Sequence, residues 1–426
     1  MQHAVRKTDS PACTREGVRI ALETIASCKW DLKSLDVSTA FLQGKIMERE
    51  VHFQPPKEAN TDNLWLLRKC VYGLMDASRY WYLRVREELT RLNGVVSQLD
   101  QGIFLFYHST QLCGIITCFV DDMIYGGDAD FEKNIITQLK TIFSIGTENH
   151  KTFSYVGIKV NQNDDKSITI DQQNYAESLQ QLQLSGNRSP DDPLNEYEKK
   201  QFRGLVGQLN WLSGISCPEL SFEVCLASTK TKSPCVRDVA RLKSVKQLKS
   251  TSTKLHFPCL NPDNVSLMVY SDASFNNLPK GGSQGAHIVF LKDDTNRCCP
   301  IAWSSSKVKR VVRSTLAAET LALADGYSTG EYLQKLLGNI FPSVNKKKIT
   351  AITDNKSLYD NLQTSHRVSD KSLIIDISYL RERIDREELH LEWKDGSKQL
   401  SNVLTKKGAS PEQLRTTLSY GSFPEC

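Results

Sequence analysis

Two adjacent aspartates interrupt the most apolar stretch of the chain. The segment LCGIITCFVDDMIYGG spans residues 112–127, and β-branched and aromatic residues stand on both sides of Asp121 and Asp122. This pattern predicts two strands joined at an acidic tip. Two carboxylates at the mouth of an apolar hairpin repel each other, and a divalent cation such as Mg²⁺, which takes oxygen ligands, would relieve that repulsion. The pattern alone is equally compatible with an ordinary hairpin whose turn is Asp-Asp.

The composition is that of a globular protein with more than one domain. The chain has 426 residues, of which 39% are hydrophobic and 24% are charged. Because a single core rarely spans such a length, we expect two or three domains. The formal net charge of +5 is compatible with a nucleic-acid partner but does not establish one. No signal peptide and no apolar run of membrane-spanning length is found, so we expect an intracellular protein with no membrane partner.

The twelve cysteines give no sign of a shared structural role. None of them belongs to a CxxC pair, and only Cys298 and Cys299 are adjacent. These spacings match neither a zinc site nor a disulfide framework. Free thiols in a reducing compartment are therefore expected.

Two sets of acidic residues occupy positions where a metal site could form. The first set is formed by the two aspartates of the hairpin and Asp36, which lies at the end of a predicted strand. The second set lies on a strand end, a helix and another strand end: Asp272, Glu319 and Asp354. Carboxylates placed in this way can converge and hold two metals about 4 Å apart for in-line displacement at phosphorus. Each acid alone is also an ordinary cap or surface charge.

Helices and polar breaks follow the hairpin. Residues 130–146 predict an amphipathic helix that ends at Gly146. Residues 187–200 predict a linker, and residues 259–265 predict a second break. Between these breaks lies a helix with a basic face, formed by Arg237, Arg241, Lys243, Lys246 and Lys249. Such a face can follow nucleic-acid phosphates, although many solvated helices share the pattern and the segment alone somewhat favours that interpretation.

Several motifs, taken in order, resemble one known family. They read DVSTAFLQGKI, LRKCVYGLMDASRYWY, ITCFVDDMIYGG, YVGIKV and FRGLVGQLNWLSGISCPELSFEV. This series resembles the reverse transcriptase of copia-type LTR-retrotransposon Pol proteins. The later motifs YSDASF, RSTLAAET, ITDN and QLSNVLTKK resemble the RNase H that follows it there. The resemblance runs from about Asp9 to Leu418, and the ordered series is more specific than any single motif.

The resemblance implies an α/β (α+β) fold with three parts. Residues 1–185 would form a ferredoxin-like reverse-transcriptase palm with truncated fingers, and residues 186–262 a helical thumb/connection. Residues 263–426 would form an RNase H-like domain, with a mixed five-stranded sheet and flanking helices. In this setting the basic helix becomes a surface that follows a nucleic-acid backbone.

The same resemblance implies roles for residues of the palm. The metal-binding triad of the polymerase would be Asp36, Asp121 and Asp122. Phe41 would be the ring that rejects a ribose 2′-OH by contact. Tyr72 and Gly73 would line the incoming nucleotide and the template, and Gly157 would lie in the hairpin that holds the primer end.

In the RNase H-like domain, the resemblance implies metal ligands that cut the RNA strand of a hybrid, namely Asp272, Glu319 and Asp354. The family's fourth acid is replaced by Asn402, a weak ligand because an amide oxygen carries no net charge. Asp395 is close enough in sequence to substitute for it. The implied cofactor is Mg²⁺, with Mn²⁺ as an alternative. The implied partners are RNA, DNA, RNA–DNA hybrid and, for an active polymerase, dNTPs.

The chain departs from the family pattern at its start. It begins almost at Asp36, without the Lys/Arg-rich fingers strand that grips the triphosphate, and without integrase, protease or zinc knuckle. We therefore expect a truncated or degenerate copy, or a 3′ fragment, of the Pol gene of a transposable element that undergoes DNA integration. The expected activities are RNA-directed DNA polymerase (nucleotidyltransferase), impaired by the missing fingers, and RNase H (endonuclease), in cytoplasmic virus-like particles or the nucleus. The alternative is a relic that binds nucleic acid without turnover.

Overall fold

The structure contains two compact units, Met1–Val156 and Gly157–Cys426. It is a computed structural model that describes residues 8–179, 182–186, 188–247, 253–364 and 370–424. Both units combine helices and strands, which confirms the predicted α/β class. The predicted boundaries at residues 185 and 262 divide the chain more finely than the two units do, and they stay predictions.

The elements of the first unit alternate between helices and strands. Its described helices are α1 (Arg15–Ser27), α2 (Ala40–Gln43), α3 (Ala77–Arg91), α4 (Ala129–Phe131) and α5 (Thr137–Ile142), with a π-helical turn at Glu132–Ile136. Its described strands are β1 (Lys33–Val37), β2 (His52–Phe53), β3 (Trp65–Leu66), β4 (Val95–Val96), β5 (Ile103–His108), β6 (Gln111–Phe119), β7 (Asp122–Gly127), β8 (Ile145–His150) and β9 (Thr152–Tyr155).

Six strands of this unit form one antiparallel sheet in the order β4-β5-β6-β7-β1-β8. Strands β1, β6, β7 and β8, with α3 after β1 and α4–α5 after β7, follow the strand and helix order of a ferredoxin-like unit. Trp81 and Leu89 of α3 and Phe131 of α4 are buried with sheet residues in one core. The ferredoxin-like arrangement predicted for this region is therefore confirmed.

The helix predicted over residues 130–146 extends too far at its C-terminal end. Helix α5 ends at Ile142, and Gly146 lies in strand β8. The sequence pattern misleads here because glycine commonly follows the last turn of a helix. The glycine instead allows β8 to approach β1 closely. A Cβ atom at Gly146 would lie 2.7 Å from a carboxylate oxygen of Asp36 and 2.7 Å from the hydroxyl of Ser38.

The second unit begins with short elements and ends with a larger sheet. Its described helices are α6 (Gln173–Ser178), α7 (Glu196–Ile215), α8 (Ser221–Ser228), α9 (Val236–Gln247), α10 (Thr315–Leu337), α11 (Lys356–Gln363), α12 (Ile374–Asp385) and α13 (Glu412–Tyr420). Its described strands are β10 (Ile158–Gln162), β11 (Ile168–Asp171), β12 (Leu255–Phe257), β13 (Ser266–Leu278), β14 (Gly282–Lys292), β15 (Cys298–Lys307), β16 (Ile349–Thr353) and β17 (Leu389–Trp393).

The predicted linker at residues 187–200 is partly helical, so that prediction is wrong for its second half. Asn195 caps α7, and its side chain and the Glu198 carboxylate exchange hydrogen bonds with each other's backbone N–H groups. Glu198 is 2% exposed and forms an ion pair with Arg188 at 2.7 Å. The polar residues that suggest a linker are therefore a helix cap and its ion pair. Buried residues around α6–α9 share one helical core.

Five strands form the large sheet of this unit, in the order β15-β14-β13-β16-β17. Strands β13, β14 and β15 pair antiparallel, whereas β13, β16 and β17 pair parallel. Helix α10 packs on β13 and β14. The mixed five-stranded sheet with flanking helices is thus confirmed.

Within the ranges given above, no helix is long and apolar enough to cross a membrane. The cysteines in the same ranges are free thiols, as the sequence predicts.

Candidate active sites

The hairpin predicted from the sequence is formed by β6 and β7. Phe119 pairs with Asp122, so the turn between the strands consists of Val120 and Asp121 rather than of the two aspartates. Val120 has a φ of +58°, a left-handed conformation that costs a β-branched residue about 1–2 kcal/mol. Two hydrogen bonds hold this turn: Trp81 Nε1 donates to the Val120 carbonyl at 2.6 Å, and the Val37 N–H donates to the Asp121 carbonyl at 3.1 Å.

The sheet places Asp36 beside this turn. Asp36 in β1 is the direct partner of Asp122 in β7, and Cβ atoms of such pairs are about 5 Å apart. Burial, followed by the negative charges of Asp121 and Asp36, raises the pKa of Asp122 to about 6. Burial, followed by the charge of Asp121, also raises the pKa of Asp36. The three carboxylates of the predicted triad are therefore neighbours that repel one another.

Two of the predicted nucleotide-binding residues lie beside the turn. The rings of Phe41 and Tyr72 have centroids 4.5 Å apart. Burial raises the pKa of the Tyr72 hydroxyl, as do the charge of Asp121 and a hydrogen bond to it. Gly73 follows with a φ of +97°, which favours glycine. Gly157, with a φ of +75°, is the first residue of the second unit.

The second acidic set comes from three elements of the five-stranded sheet region. Asp272 lies in β13, Glu319 lies in α10, and Asp354 follows the last residue of β16. Because β13 and β16 are adjacent parallel strands, both carry their acids toward the same edge. One ligand oxygen from each acid lies within 4.8 Å of those of the other two. The convergence predicted from the sequence is present.

Burial dominates the electrostatics of this acidic set. Asp272 is 0% exposed and Glu319 is 4% exposed. Burial, followed by the charges of Asp272 and Asp354, raises the pKa of Glu319 to about 9. Burial likewise raises the pKa of Asp272, although Lys406 and Thr405 oppose that shift. Within the described part of the chain, Glu319 Oε2 is buried and has no hydrogen-bond partner. An oxygen-seeking divalent cation would satisfy this atom, so the residues fit a metal.

A lysine that the sequence analysis missed reaches into the same cluster. Lys406 Nζ lies 3.1 Å from Asp272 Oδ1 and 3.9 Å from Asp354 Oδ2, and it also donates to Asn402 Oδ1. The neighbouring Thr405 hydroxyl donates to Asp272 Oδ2. Both residues belong to the motif QLSNVLTKK, which is therefore the sequence signal for them, although the family resemblance assigns a role only to Asn402.

Both candidates for a fourth ligand have hydrogen-bond partners of their own. Asn402 Nδ2 donates to the Gly396 carbonyl at 2.7 Å, and its oxygen accepts from Lys406. Asp395 caps a short turn by accepting from the Ser397 N–H at 3.0 Å, which lowers the pKa of Asp395. The carboxylate of Asp395 therefore has a local structural partner.

The two acidic sets differ in how closely they converge. Across the described ranges, the triad Asp36, Asp121 and Asp122 is not among the groups of three whose ligand atoms all lie within 4.8 Å of one another. Its geometry still suits a cation, because two of its carboxylates share one face of the sheet.

The predicted basic face of α9 is partly neutralised. Arg237 forms an ion pair with Asp191, and Arg241 forms one with Glu223 at 2.5 Å. Lys249 and the side chains of Lys243 and Lys246 lie outside the described residues. The described part of this face therefore gives no independent support for phosphate binding.

Comparison with known proteins identifies relatives over most of the chain. Residues 2–196 match the family described as reverse transcriptase (RNA-dependent DNA polymerase). The chain is 26% identical over 419 residues to the retrovirus-related Pol polyprotein from transposon RE1 of Arabidopsis thaliana, a match that covers 94% of this chain and 28% of the relative. A putative transposon Ty5-1 protein of Saccharomyces cerevisiae is 25% identical over 302 residues, covering 65% of this chain and 94% of the relative.

A third relative is the transposon Ty1-DR5 Gag-Pol polyprotein of Saccharomyces cerevisiae, 24% identical over 414 residues, with 88% of this chain covered. The chain spans 28% of the length of the RE1 polyprotein and 23% of the length of the Ty1-DR5 polyprotein.

Solved structures also show similarity at low identity. The foamy viral protease-reverse transcriptase in complex with RNA/DNA hybrid is 10% identical, with a TM-score of 0.49, covering 88% of this chain and 46% of that chain. An N-terminal RNase H domain from Mycobacterium tuberculosis, fused to maltose binding protein, is 14% identical with a TM-score of 0.26, covering 33% of this chain and 91% of that chain.

Proposed function

We propose that this chain belongs to the copia-type Pol polyproteins of retrotransposons and that its second unit cuts the RNA strand of an RNA–DNA hybrid with two Mg²⁺ ions. The observation that carries the proposal is the convergence of Asp272, Glu319 and Asp354, whose ligand atoms lie within 4.8 Å of one another. Mn²⁺ would serve as an alternative cofactor because it accepts the same oxygen ligands.

Each residue of the cluster has a distinct part in this proposal. Bound divalent cations would stabilise charge on the scissile phosphate and make a hydroxide nucleophile available near neutral pH. Asp272 supplies a carboxylate whose orientation is set by the Thr405 hydroxyl. Glu319 supplies Oε2, the buried oxygen that has no hydrogen-bond partner in the described residues. Asp354 is the most accessible of the three, with a side chain 16% exposed, so it lies on the side from which a substrate phosphate can approach.

The cluster is tested by cleavage of a labelled RNA–DNA hybrid in Mg²⁺. We expect Asp272→Asn and Asp354→Asn each to lower the cleavage rate by roughly a thousandfold or more, since each removes a charged ligand from the transition state. Asp385→Asn is the matched control, because Asp385 is an exposed aspartate at the end of α12 and should leave the rate unchanged. Cleavage that survives both cluster substitutions would rule out this assignment.

We propose polymerisation as the weaker activity of the first unit. Asp36, Asp121 and Asp122 would bind the metals with the dNTP, and Phe41 with Tyr72 would contact the nucleotide. The pairing of Asp36 with Asp122 and the ring contact near Asp121 support these roles. The looser convergence of the three acids supports an impaired polymerase. Gly73 and Gly157 keep their proposed roles at the template and primer end.

Primer extension measured beside hybrid cleavage separates the two activities. We expect slow extension that Asp122→Asn abolishes and that Asp62→Asn, at an exposed aspartate of the same unit, leaves unchanged. Fast, processive extension by this chain would contradict the impairment.

One observation favours a second candidate function, nucleic-acid binding without turnover. The ammonium of Lys406 already contacts Asp272, Asp354 and Asn402, so it occupies the position of a cation. A protein of this kind would bind hybrid with a steep salt dependence. Binding that persists in Mg²⁺ with no cleavage at any metal concentration would select this alternative.

Family membership further supports our proposals of residence in cytoplasmic virus-like particles or the nucleus and of a thumb/connection at residues 186–262.

A further inference from the structure

A third group of potential metal ligands lies in the first unit, and it combines a histidine, a cysteine and an aspartate. His108 ends β5, Cys113 lies in β6, and Asp128 follows β7. An imidazole nitrogen, the thiol sulfur and a carboxylate oxygen of these residues all lie within 4.8 Å of one another. No spacing in the sequence indicates this group, because its members lie in, or directly after, three neighbouring strands.

The fold places Cys113 toward the other two residues through an irregularity in the sheet. Phe106 pairs with Gly114, whereas Tyr107 pairs with Leu112, so Cys113 is an extra residue without a partner on β5. Such a bulge turns a side chain away from the regular alternation of the strand. The Asp128 N–H donates to the Cys113 carbonyl at 2.9 Å, which ties the two candidate ligands together through the backbone.

The ring of Phe131 fixes the same corner. A Cβ atom at either Gly114 or Gly127 would lie 2.2 Å from this ring, so glycine is required at both positions. The Phe131 N–H donates to Asp128 Oδ1 at 2.8 Å, which orients the carboxylate. The corner is therefore rigid on the side of Cys113 and Asp128. His108 is 58% exposed and has room to rotate.

The set of donor atoms selects a class of cation. Thiolate sulfur and imidazole nitrogen suit Zn²⁺, whereas Mg²⁺ prefers oxygen. Zinc bonds of about 2.0–2.3 Å place tetrahedral ligands roughly 3–4 Å apart, so a small rotation of the exposed His108 would close the site. The carboxylate of Asp130 lies 3.9 Å from His108 Nε2, so it is close enough to supply the fourth ligand of a tetrahedral ion.

We infer that His108, Cys113 and Asp128 bind one Zn²⁺ ion, with Asp130 or water as the fourth ligand. When Zn²⁺ binds, the Cys113 thiol loses its proton to solvent and the resulting thiolate coordinates the ion. The ion would tie the β5–β6 hairpin to the start of α4. The site is separate from the proposed polymerase triad, because Cys113 and Asp121 are eight residues apart along β6 and its turn, roughly 25 Å by strand rise.

Titration of the full chain with Zn²⁺ and Co²⁺ tests this site. A millimolar excess of Mg²⁺ keeps the oxygen-only sites occupied. We expect one tightly bound equivalent of Zn²⁺, and Co²⁺ in its place should give a thiolate-to-cobalt charge-transfer band with tetrahedral visible absorption. His108→Ala should weaken Zn²⁺ binding roughly 100-fold. Because His108 is exposed, this substitution should not disturb the core.

Two further variants separate metal binding from folding. Asp128→Asn keeps an oxygen that can cap α4 but loses the charge, and it should also weaken Zn²⁺ binding. Cys113→Ser should abolish the charge-transfer band. His150→Ala is the control, because His150 is a 56% exposed histidine that ends β8 beside Glu148. A zinc stoichiometry and cobalt spectrum unchanged in His108→Ala and Cys113→Ser would overturn the inference.

Discussion

The turn that carries Asp121 and the cluster around Asp272 hold their carboxylates by different means. In the first unit, a two-residue turn with a left-handed Val120 is fixed by hydrogen bonds from Trp81 and Val37, and its acids are partly exposed. In the second unit, a strand and a helix bury Asp272 and Glu319 before any ligand is bound. The difference teaches that adjacent acids in sequence are a weaker sign of a formed metal site than a buried carboxylate without a partner.

The largest expected effect concerns the support of the turn in the first unit. Trp81 is 1% exposed and its ring lies 5.0 Å from that of Phe143. Trp81→Ala should lower the free energy of unfolding by about 3–5 kcal/mol, because it leaves a cavity and frees the Val120 carbonyl. Denaturant unfolding measures the loss. Trp65→Ala, at a tryptophan 44% exposed, should change the same free energy by less than about 1 kcal/mol.

If Trp81→Ala left stability unchanged, the turn would not depend on this buried contact. Hybrid cleavage should persist in the variant wherever the chain remains folded, because the proposed ligands of that reaction belong to the other unit.

The next effect is at Gly146, beside Asp36. Gly146→Ala should destabilise the protein by about 1–3 kcal/mol, since the new methyl would lie 2.7 Å from Asp36 Oδ2. It should also lower any primer extension, because Asp36 must move. Gly207→Ala in α7, where no atom lies within 4 Å of the new methyl, should instead stabilise by about 1 kcal/mol. Equal effects of the two substitutions on unfolding would remove the steric argument.

The pH dependence of stability compares the two sites directly. Glu319 has a pKa of about 9 in the folded protein and an ordinary value of 4.5, so its stabilising contribution is complete below pH 4.5 and is lost as the pH rises toward 9. The pKa of Asp122 is about 6 in the folded protein and ordinarily 3.8, so its stabilising contribution is lost as the pH rises from 3.8 toward 6. Without metal, Glu319→Gln should therefore raise stability at pH 8 by about 2 kcal/mol and flatten the upper window.

Asp122→Asn should also raise the metal-free stability, but it should flatten the pH profile only between pH 3.8 and about 6. Unfolding free energies measured from pH 4 to pH 9 check both variants. A Glu319→Gln variant with an unchanged pH profile would show that this carboxylate is not held in a buried, charge-repelling environment.

The smallest expected effect is at Lys406, whose ammonium is 42% exposed. Lys406→Met should lower metal-free stability by about 1 kcal/mol, after allowance for solvent screening. It should also increase the rise in Tm that Mg²⁺ produces, because the metal no longer competes with an ammonium. Lys348→Met is the control, since Lys348 forms an ion pair with Glu387 and is 46% exposed. A Mg²⁺ response equal in both variants would show that Lys406 does not compete for the cluster.

The family resemblance was sufficient to predict the mixed sheet, and the positions of the acids on strand ends and a helix were sufficient to predict that Asp272, Glu319 and Asp354 can converge. The sequence pattern does not distinguish a glycine that ends a helix from one that allows a neighbouring strand to approach, so it places Gly146 at the end of a helix although the residue lies in β8. It also carries no distances between residues far apart in the chain. For that reason the sequence indicated neither Lys406 among the acids nor the His108–Cys113–Asp128 group, whose cysteine depends on a bulge in β6.

One measurement compares the two acidic sites most directly: the anomalous scattering of Mn²⁺ in crystals of the full chain. The account predicts the strongest Mn²⁺ peaks between Asp272, Glu319 and Asp354, with the Lys406 ammonium displaced from Asp272. Any peak at Asp36 and Asp122 should be weaker and appear at higher Mn²⁺ concentration. Strong peaks at the β6–β7 turn, with none near Asp272, would contradict the proposal that the buried cluster is the metal site of this protein.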